Sequence, residues 1–331
     1  MLREVFRIPW LNLPIYGYGL MLVVAFLACS HMARYWARQR GLDGELFINM
    51  ALLALVTGVI GARLSDVLEN WSAFTNPERS VLDNILDAIN IRAGGLTFYG
   101  GFILAIPCCI FYIVKHKLPL LKTMDIVAPV VMIGLGFGRI GCYLNGCCYG
   151  EICRPPFGAS LTQFPYLSNP YVDQFNRSLL HPPDALIEHN PDGSIELKDW
   201  DTIRREGLTS LAEAQKSLPV QPTQLYSSIT AFLLMGLLWA YWTMPHLDGR
   251  VFALMMLLEG PSRFILEMIR VEPPVVSGHL GPIDISMSLS MVLGLLVFVA
   301  GAVMWVLVGC GKPVKNRGIL AAPIEKHSVF P

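Results

Sequence analysis

Two arginines stand where an arginine is costly. Arg139 interrupts the small-residue run Gly134-Leu135-Gly136-Phe137-Gly138-Arg139-Ile140-Gly141, which continues an apolar stretch from Ile126 to Ile133, and Arg263 sits in a second apolar run with Glu259 and Glu267. An unpaired guanidinium in hydrocarbon costs several kcal/mol, so such residues face a protein-lined or watery cavity and mark candidate functional sites. Arginine offers a rigid fork of donors that matches phosphate and stays charged when partly buried, which suits a phosphodiester headgroup at a membrane surface. The structural alternative is neutralisation by a membrane carboxylate, Glu267 one turn after Arg263 being the obvious partner.

Other polar groups gather near the same helix ends. Tyr99 lies between paired glycines in Gly94-Gly95-Leu96-Thr97-Phe98-Tyr99-Gly100-Gly101, where its hydroxyl could reach a ligand as donor or, if ionised, as base. The plainer reading is an interfacial aromatic at a helix end, and the same pair of readings applies to Tyr18. Gln224 and Tyr226 follow Pro222-Thr223 at a helix start, and Arg270 and Glu272 follow the run that holds Arg263; singly, these read as solvated ends. Cys142, Cys147, Cys148 and Cys153 form a C-x4-C-C-x4-C pattern. A structural metal favours C-x2-C spacing, and five-residue steps on a helix spread side chains around it, so packing residues come first, a disulfide second, and a metal or catalytic thiol last. No metal and no cofactor are expected.

These residues must be carried by membrane helices. Of 331 residues 53% are hydrophobic and 15% charged, with a mean hydropathy of +0.50, a polytopic membrane composition. A formal charge of +0 gives no pull toward nucleic acid. The first apolar run has no small-residue cleavage site before Arg34 and reads as a retained helix. Runs of about 20 residues, enough to span a bilayer, occur at Ile15 to Tyr35, Phe47 to Val67, Leu96 to Val114, Met124 to Leu144, Gln224 to Trp242, Arg250 to Met268 and Ile283 to Val308. The fourth and sixth carry the polar residues and are expected to face each other across a cavity.

The expected fold is an all-α integral membrane protein of seven transmembrane helices with an extracytoplasmic cap between helices four and five. Basic residues set its orientation. Arg34, Arg38 and Arg40, then Lys115, Lys117 and Lys122, then Lys312, Lys315, Arg317 and Lys326 mark the cytoplasmic side. The side holding Arg3, Arg7, Arg79 and Arg92 is poorer, so the N-terminus is outside and the C-terminus cytoplasmic. Residues 1–145 hold helices one to four, 146–222 the cap, 223–310 helices five to seven, and 311–331 a cytoplasmic tail. Within the cap, Asn190-Pro191-Asp192-Gly193 signals a turn between Ala185 to Ile187 and Ser194 to Leu197. Ser210 and Glu213 have capping-box spacing for a helix from about Leu211 to Ser217.

Taken together, these segments resemble the bacterial prolipoprotein diacylglyceryl transferase family. The resemblance rests on Tyr18-Gly19-Leu20-Met21, Gly61-Ala62-Arg63-Leu64, Gly94 through Gly101, Asp125, Gly138-Arg139-Ile140-Gly141, Leu144-Asn145-Gly146, Gly150, Pro222 through Tyr226, Arg263-Phe264, Glu267 and Arg270. It implies transfer of the diacylglyceryl group of phosphatidylglycerol to the lipobox cysteine thiol of a prolipoprotein, forming a thioether and releasing glycerol phosphate, in the bacterial inner membrane among membrane lipids. It implies catalytic roles for Arg139 and Arg263, with Tyr99 and Tyr18 orienting or activating the reacting groups. Asn145, Gly150, Gln224, Tyr226, Glu267 and Arg270 would shape the headgroup pocket. The competing classes are a transporter or lipid-binding membrane protein that recognises an anionic headgroup, and a thiol-redox protein built on Cys142, Cys147, Cys148 and Cys153.

The chain also departs from the family pattern. Better-known members have histidine where Tyr99 stands, and a phenol of pKa near 10 is a poor base. Cys142 replaces the asparagine of the signature, Cys147 an acidic residue, and Gln221 a histidine, and the cap is longer. These mark a divergent subfamily.

Overall fold

The computed structural model describes residues 4–8, 13–75, 80–90, 97–153, 162–190, 194–270, 276–280 and 283–310. Gly94, Gly95, residues 191–193 of the expected turn, Glu272 and the basic tail residues lie outside them, as does the side chain of Tyr99.

A hairpin of β1 (Glu4–Ile8) and β2 (Leu13–Tyr16) leads into α1 (Gly17–Gln39), α2 (Gly44–Glu69), α3 (Trp71–Phe74), α4 (Val81–Ile89), α5 (Phe98–Lys115) and α6 (Leu120–Asn145). An inserted segment carries α7 (Asn169–Asn176), β3 (Ile187–His189), β4 (Ile195–Leu197), α8 (Trp200–Arg205) and α9 (Thr209–Ala214). The chain continues through α10 (Thr223–Thr243), α11 (Arg250–Glu267), the hairpin of β5 (Val276–Leu280) and β6 (Ile283–Met287), and α12 (Leu289–Gly309).

Among the described residues, α1, α2, α6, α10 and α12 are long and apolar enough to cross a membrane. The 18-residue helix α11 carries Arg250, Glu259, Arg263 and Glu267, and the apolar part of α5 described with its side chains is shorter, Gly100–Lys115. Large apolar side chains point outward along these helices, with Leu27, Phe111, Leu233 and Leu307 all more than half exposed. Water penalises such a surface and lipid does not.

The helix α6 is central: half of its apolar window is buried, against 11% for α12. Its Ile126, Ala128, Met132 and Ile133 pack in one core with Trp36 and Ala37 of α1, Phe47 of α2, Leu238 and Trp242 of α10 and Val251 of α11. At the same end Asp125 accepts hydrogen bonds from the backbone N–H of Gly249 (2.7 Å) and Phe252 (2.9 Å), satisfying orphan donors of the α11 N-terminus. That contact sets the level of α11 against α6. At 1.5 Å per residue, Arg139 lies about 21 Å beyond Asp125 and Arg263 about 17 Å beyond Phe252, so both arrive near the opposite end. The paired glycines after Tyr99 serve helix packing: a Cβ on Gly100 would meet the Gly61 carbonyl of α2 at 2.5 Å.

Several expected boundaries move. The last helix starts at Leu289, not Ile283, because residues 283–287 pair in a hairpin and Ser288 caps the helix by accepting from Met291 N–H. The first starts at Gly17, since Leu13–Tyr16 is a strand. In the inserted segment α9 begins after Leu208 without a side-chain cap and ends at Ala214. Ser210 is therefore inside the helix, and Ser217 instead accepts a hydrogen bond from Phe164 N–H at 2.9 Å. The strands flanking the expected turn do pair, with Ile187 opposite Leu197. The segment builds its own small core from Tyr166, Tyr171, Leu186, Ile203 and Ala212. Burial pushes the Tyr166 hydroxyl up to about 12, helped by Tyr171 and Asp199, and it donates to the Leu186 and Lys198 carbonyls.

Candidate active site

The far ends of α6, α10 and α11 enclose a narrow cleft of about 10 Å³, lined by Arg139, Thr223, Ser227, Arg263, Leu266, Glu267 and Arg270. Thr223 and Ser227 are four residues apart and share a face of α10. The carboxylate of Glu267, 3% exposed, lies 3.3 Å from Arg270 Nη1 and 3.9 Å from Arg263 Nε. Arg270, rather than Arg263, is therefore its closer partner. Arg263 also donates through Nη2 to Ser290 Oγ of α12 at 3.3 Å. Charges on Arg139, Glu267, Arg270 and Glu259 all reach Arg263. Among the described residues Arg139 makes no hydrogen bond or ion pair, so one guanidinium of the cleft is uncommitted.

Arg270 is held by backbone. It bridges antiparallel to Gly150, while Gly150 N–H donates to Gln221 O (2.9 Å), Glu151 N–H to Ile269 O (3.2 Å) and Gln221 N–H to Glu151 O (2.9 Å). A Cβ on Gly150 would lie 2.7 Å from Thr223 Cγ2, 2.8 Å from Ile269 O and 2.9 Å from Gln221 Cβ. Only glycine lets the three segments meet.

The turn before Gly150 follows from how α6 ends. Gly146 caps it in the left-handed region at φ 72°, and Cys148 takes φ 61°, a conformation uncommon outside glycine. Two residues of α10 hold this shape: Gln224 Nε2 donates to Cys147 O at 2.8 Å and Thr223 Oγ1 to Cys148 O at 2.7 Å. The reversal brings the Sγ atoms of Cys142, Cys147 and Cys148 within 4.8 Å of one another. The expectation that five-residue steps would spread these cysteines fails because the helix stops at Asn145. Cys153 stays apart, buried in the inserted segment. Among the described residues, these three cysteines are the ones placed to hold a metal. The adjoining Tyr149 joins the turn to α7; burial and then Asp173 push its hydroxyl up to about 12.

The other expected site residues divide by position. Tyr18 lies against Gly141, within electrostatic reach of Arg139 and the three cysteines. Asn145 contacts Cys147 through its side chain. Gln224 is fully buried, its Oε1 without a hydrogen-bond partner among the described residues, and it supports the turn without lining the cleft. Tyr226 is 37% exposed and also outside the cleft lining. Thr223, Ser227 and Ser290 were not singled out from sequence; the four-residue spacing of the first two was the available signal.

The model of the prolipoprotein diacylglyceryl transferase family matches residues 3–307. A phosphatidylglycerol–prolipoprotein diacylglyceryl transferase of Clostridium tetani is 27% identical over 290 residues, 87% of this chain and 93% of that protein. One of Xanthomonas campestris is 27% identical over 270 residues, 80% of this chain and 78% of that protein. One of Rhodopirellula baltica is 29% identical over 205 residues, 60% of this chain and 40% of that longer protein.

Proposed function

Because the chain belongs to the prolipoprotein diacylglyceryl transferase family, we propose that its cleft binds the phosphate of phosphatidylglycerol between Arg139 and Arg263, with Arg270 held alongside by Glu267. The protein is a multi-pass membrane transferase. It moves the diacylglyceryl group of phosphatidylglycerol to a cysteine thiol of a prolipoprotein, forming a thioether and releasing glycerol phosphate. The sulfur attacks a glyceryl carbon, the C–O bond to phosphate breaks, and negative charge grows on the departing phosphate. Preorganised guanidinium groups stabilise that charge in the transition state more than in the bound lipid, which is what accelerates the step.

In this reading α1, α2, α5, α6, α10, α11 and α12 are seven spans, residues 146–222 are an extracytoplasmic cap that admits the lipobox region, and 311–331 are a cytoplasmic tail. The N-terminus is outside, consistent with the basic residues of the loops after α1 and α5. Tyr18 and Tyr99 orient the reacting groups, Asn145 shapes the mouth, and Gly150 and Gln224 act by fixing the turn and Arg270. Tyr226 contacts the lipid from the outward face of α10.

The uncommitted guanidinium of Arg139, in a cleft shared with two further arginines, carries the proposal. The test is mass analysis of the purified protein with phosphatidylglycerol and a synthetic lipobox peptide. A diacylglyceryl adduct with released glycerol phosphate is expected, and none with folded Arg139→Ala; full activity in that variant removes the clamp.

A further inference from the structure

We propose that Cys142, Cys147 and Cys148 form a three-thiolate zinc site whose open fourth position takes the acceptor cysteine and holds it as the attacking thiolate. The proposal rests on the transferase reading of the neighbouring cleft.

Geometry carries it first. Zinc–sulfur bonds of about 2.3 Å at tetrahedral angles place sulfurs about 3.8 Å apart, and these three already lie within 4.8 Å of one another. All three are half-buried, so a fourth ligand has access, whereas Cys153 is buried and apart. Three protein ligands with one open position is the arrangement of catalytic zinc.

The supporting shell carries it further. The left-handed φ of Cys148 is a strained choice for a residue with a side chain. It is held by Thr223 on the Cys148 carbonyl and Gln224 on the Cys147 carbonyl, and Asn145 contacts Cys147. Groups that orient ligands in this way accompany real metal sites.

Placement gives the site its use. Cys142 is one helical turn beyond Arg139, about 5 Å along α6, and both Arg139 and Arg270 act electrostatically on the Cys148 sulfur. A zinc ion with three thiolates carries net negative charge, which these cations offset. An acceptor thiol that binds zinc loses its proton to solvent. Its sulfur pair then forms the C–S bond as the C–O bond breaks, and the oxygen keeps its pair on the glycerol phosphate beside the arginines. The neutral thioether is a weak ligand and leaves. This supplies the thiolate in a chain with Tyr99 where its relatives are expected to place histidine.

The test uses the full chain, reduced and reconstituted in phosphatidylcholine nanodiscs, which hold no phosphatidylglycerol donor. Added zinc is expected to bind one per chain, and Cys148→Ser to lower affinity at least tenfold while Cys153→Ser does not. With cobalt in place of zinc, sulfur-to-cobalt charge-transfer absorption is expected, rising when a lipobox peptide is added and not when its cysteine is serine. No bound zinc, binding unaffected by Cys148→Ser, or a cobalt spectrum blind to the peptide thiol overturns the proposal. The binding arms need no turnover. Peptide thiol on cobalt with no adduct after phosphatidylglycerol is supplied would sink the transferase reading, and with it the attacking role of the bound thiolate, while leaving the metal site itself. Full transfer by zinc-free, correctly folded Cys142→Ser/Cys147→Ser/Cys148→Ser protein would sink the zinc proposal alone.

Discussion

Replacing Gly150 with alanine should damage the site without touching a charged group. The added Cβ falls 2.7–2.9 Å from Thr223 Cγ2, Ile269 O and Gln221 Cβ, and ordinary contact begins at 3.4 Å. The segments must part by about 0.5–0.7 Å, and none of the three atoms is the free end of a long side chain, so the backbone has to yield. The hydrogen bonds from Gly150 to Gln221 and from Glu151 to Ile269 start at 2.9 and 3.2 Å and would stretch past useful length. Two such bonds at about 1 kcal/mol each, with about 1–2 kcal/mol of overpacking strain, give a loss of roughly 3–4 kcal/mol. Arg270 pairs with Gly150, and a misplacement of about 1 Å can cost ~100-fold in rate, so a shift of half that should cost about tenfold. Denaturation midpoints and adduct formation by the folded fraction measure the two effects. Gly236→Ala, whose Cβ meets nothing within 4 Å, is the control and should be neutral or stabilising by up to about 1 kcal/mol. A Gly150→Ala protein with parental stability and turnover would refute the role given to this close approach of Gly150 to Thr223, Ile269 and Gln221.

Glu267→Gln keeps the shape but removes the charge between Arg263 and Arg270. Kinetics should show kcat falling about tenfold or more without a rise in KM for the lipid, because the cleft stays cationic while its arginines lose alignment; a raised KM with unchanged kcat would contradict this. Asp125→Ala strips the acceptor from two backbone donors at the start of α11 and should destabilise by about 1–2 kcal/mol, read as a lowered denaturation midpoint. Burial, with Arg40 nearby, holds His246 below its ordinary pKa despite the Met244 carbonyl. The folded ring therefore takes up a proton less readily than the unfolded one, although Asp248 acts the other way and Asp125 Oδ2 lies 3.8 Å from Nε2, and the unfolded chain gains the proton first. That stability is full above about pH 6.5 and is lost as pH falls through the folded pKa. Midpoints should drop between about pH 7 and pH 5, and His246→Gln should flatten the drop; an unchanged pH dependence would exclude the mechanism.

Apolar length made the long helices legible, and the cost of charge in lipid singled out Arg139 and Arg263. The sequence could not give the level of one helix against another, which Asp125 decides by reaching across to the start of α11. Nor could it show that Glu267 serves Arg270 more closely than Arg263, since both spacings suit a helix. The cysteine cluster escaped because periodicity holds only while the helix lasts, and Gly146 ends it one residue before Cys147. Similarly, Ile283 to Met287 reads as apolar span, yet Asp284, Ser286 and Ser288 interrupt it, and the structure uses it as a strand and a cap.

Three guanidinium groups in one cleft repel, and the position of Glu267 decides where the surplus remains. Glu267 shares its helix with Arg263 and precedes Arg270 by three residues, so it offsets one of their two charges, and Glu259, four residues before Arg263, reaches both Arg263 and Arg139 electrostatically. Arg139 comes from α6 and finds no such partner among the described residues. Removing one side of a buried ion pair costs about 3–5 kcal/mol, so Glu267 cannot leave Arg270 to serve Arg139 unless another anion takes its place. A lipid phosphate is an anion that does so without disturbing the existing pair. Counting Glu259 with Glu267 against the three arginines leaves one positive charge, which a headgroup with a single net negative charge would offset, whereas one carrying its own ammonium would add a cation beside Arg263. On the proposed clamp, the cleft would therefore favour an anionic glycerophospholipid.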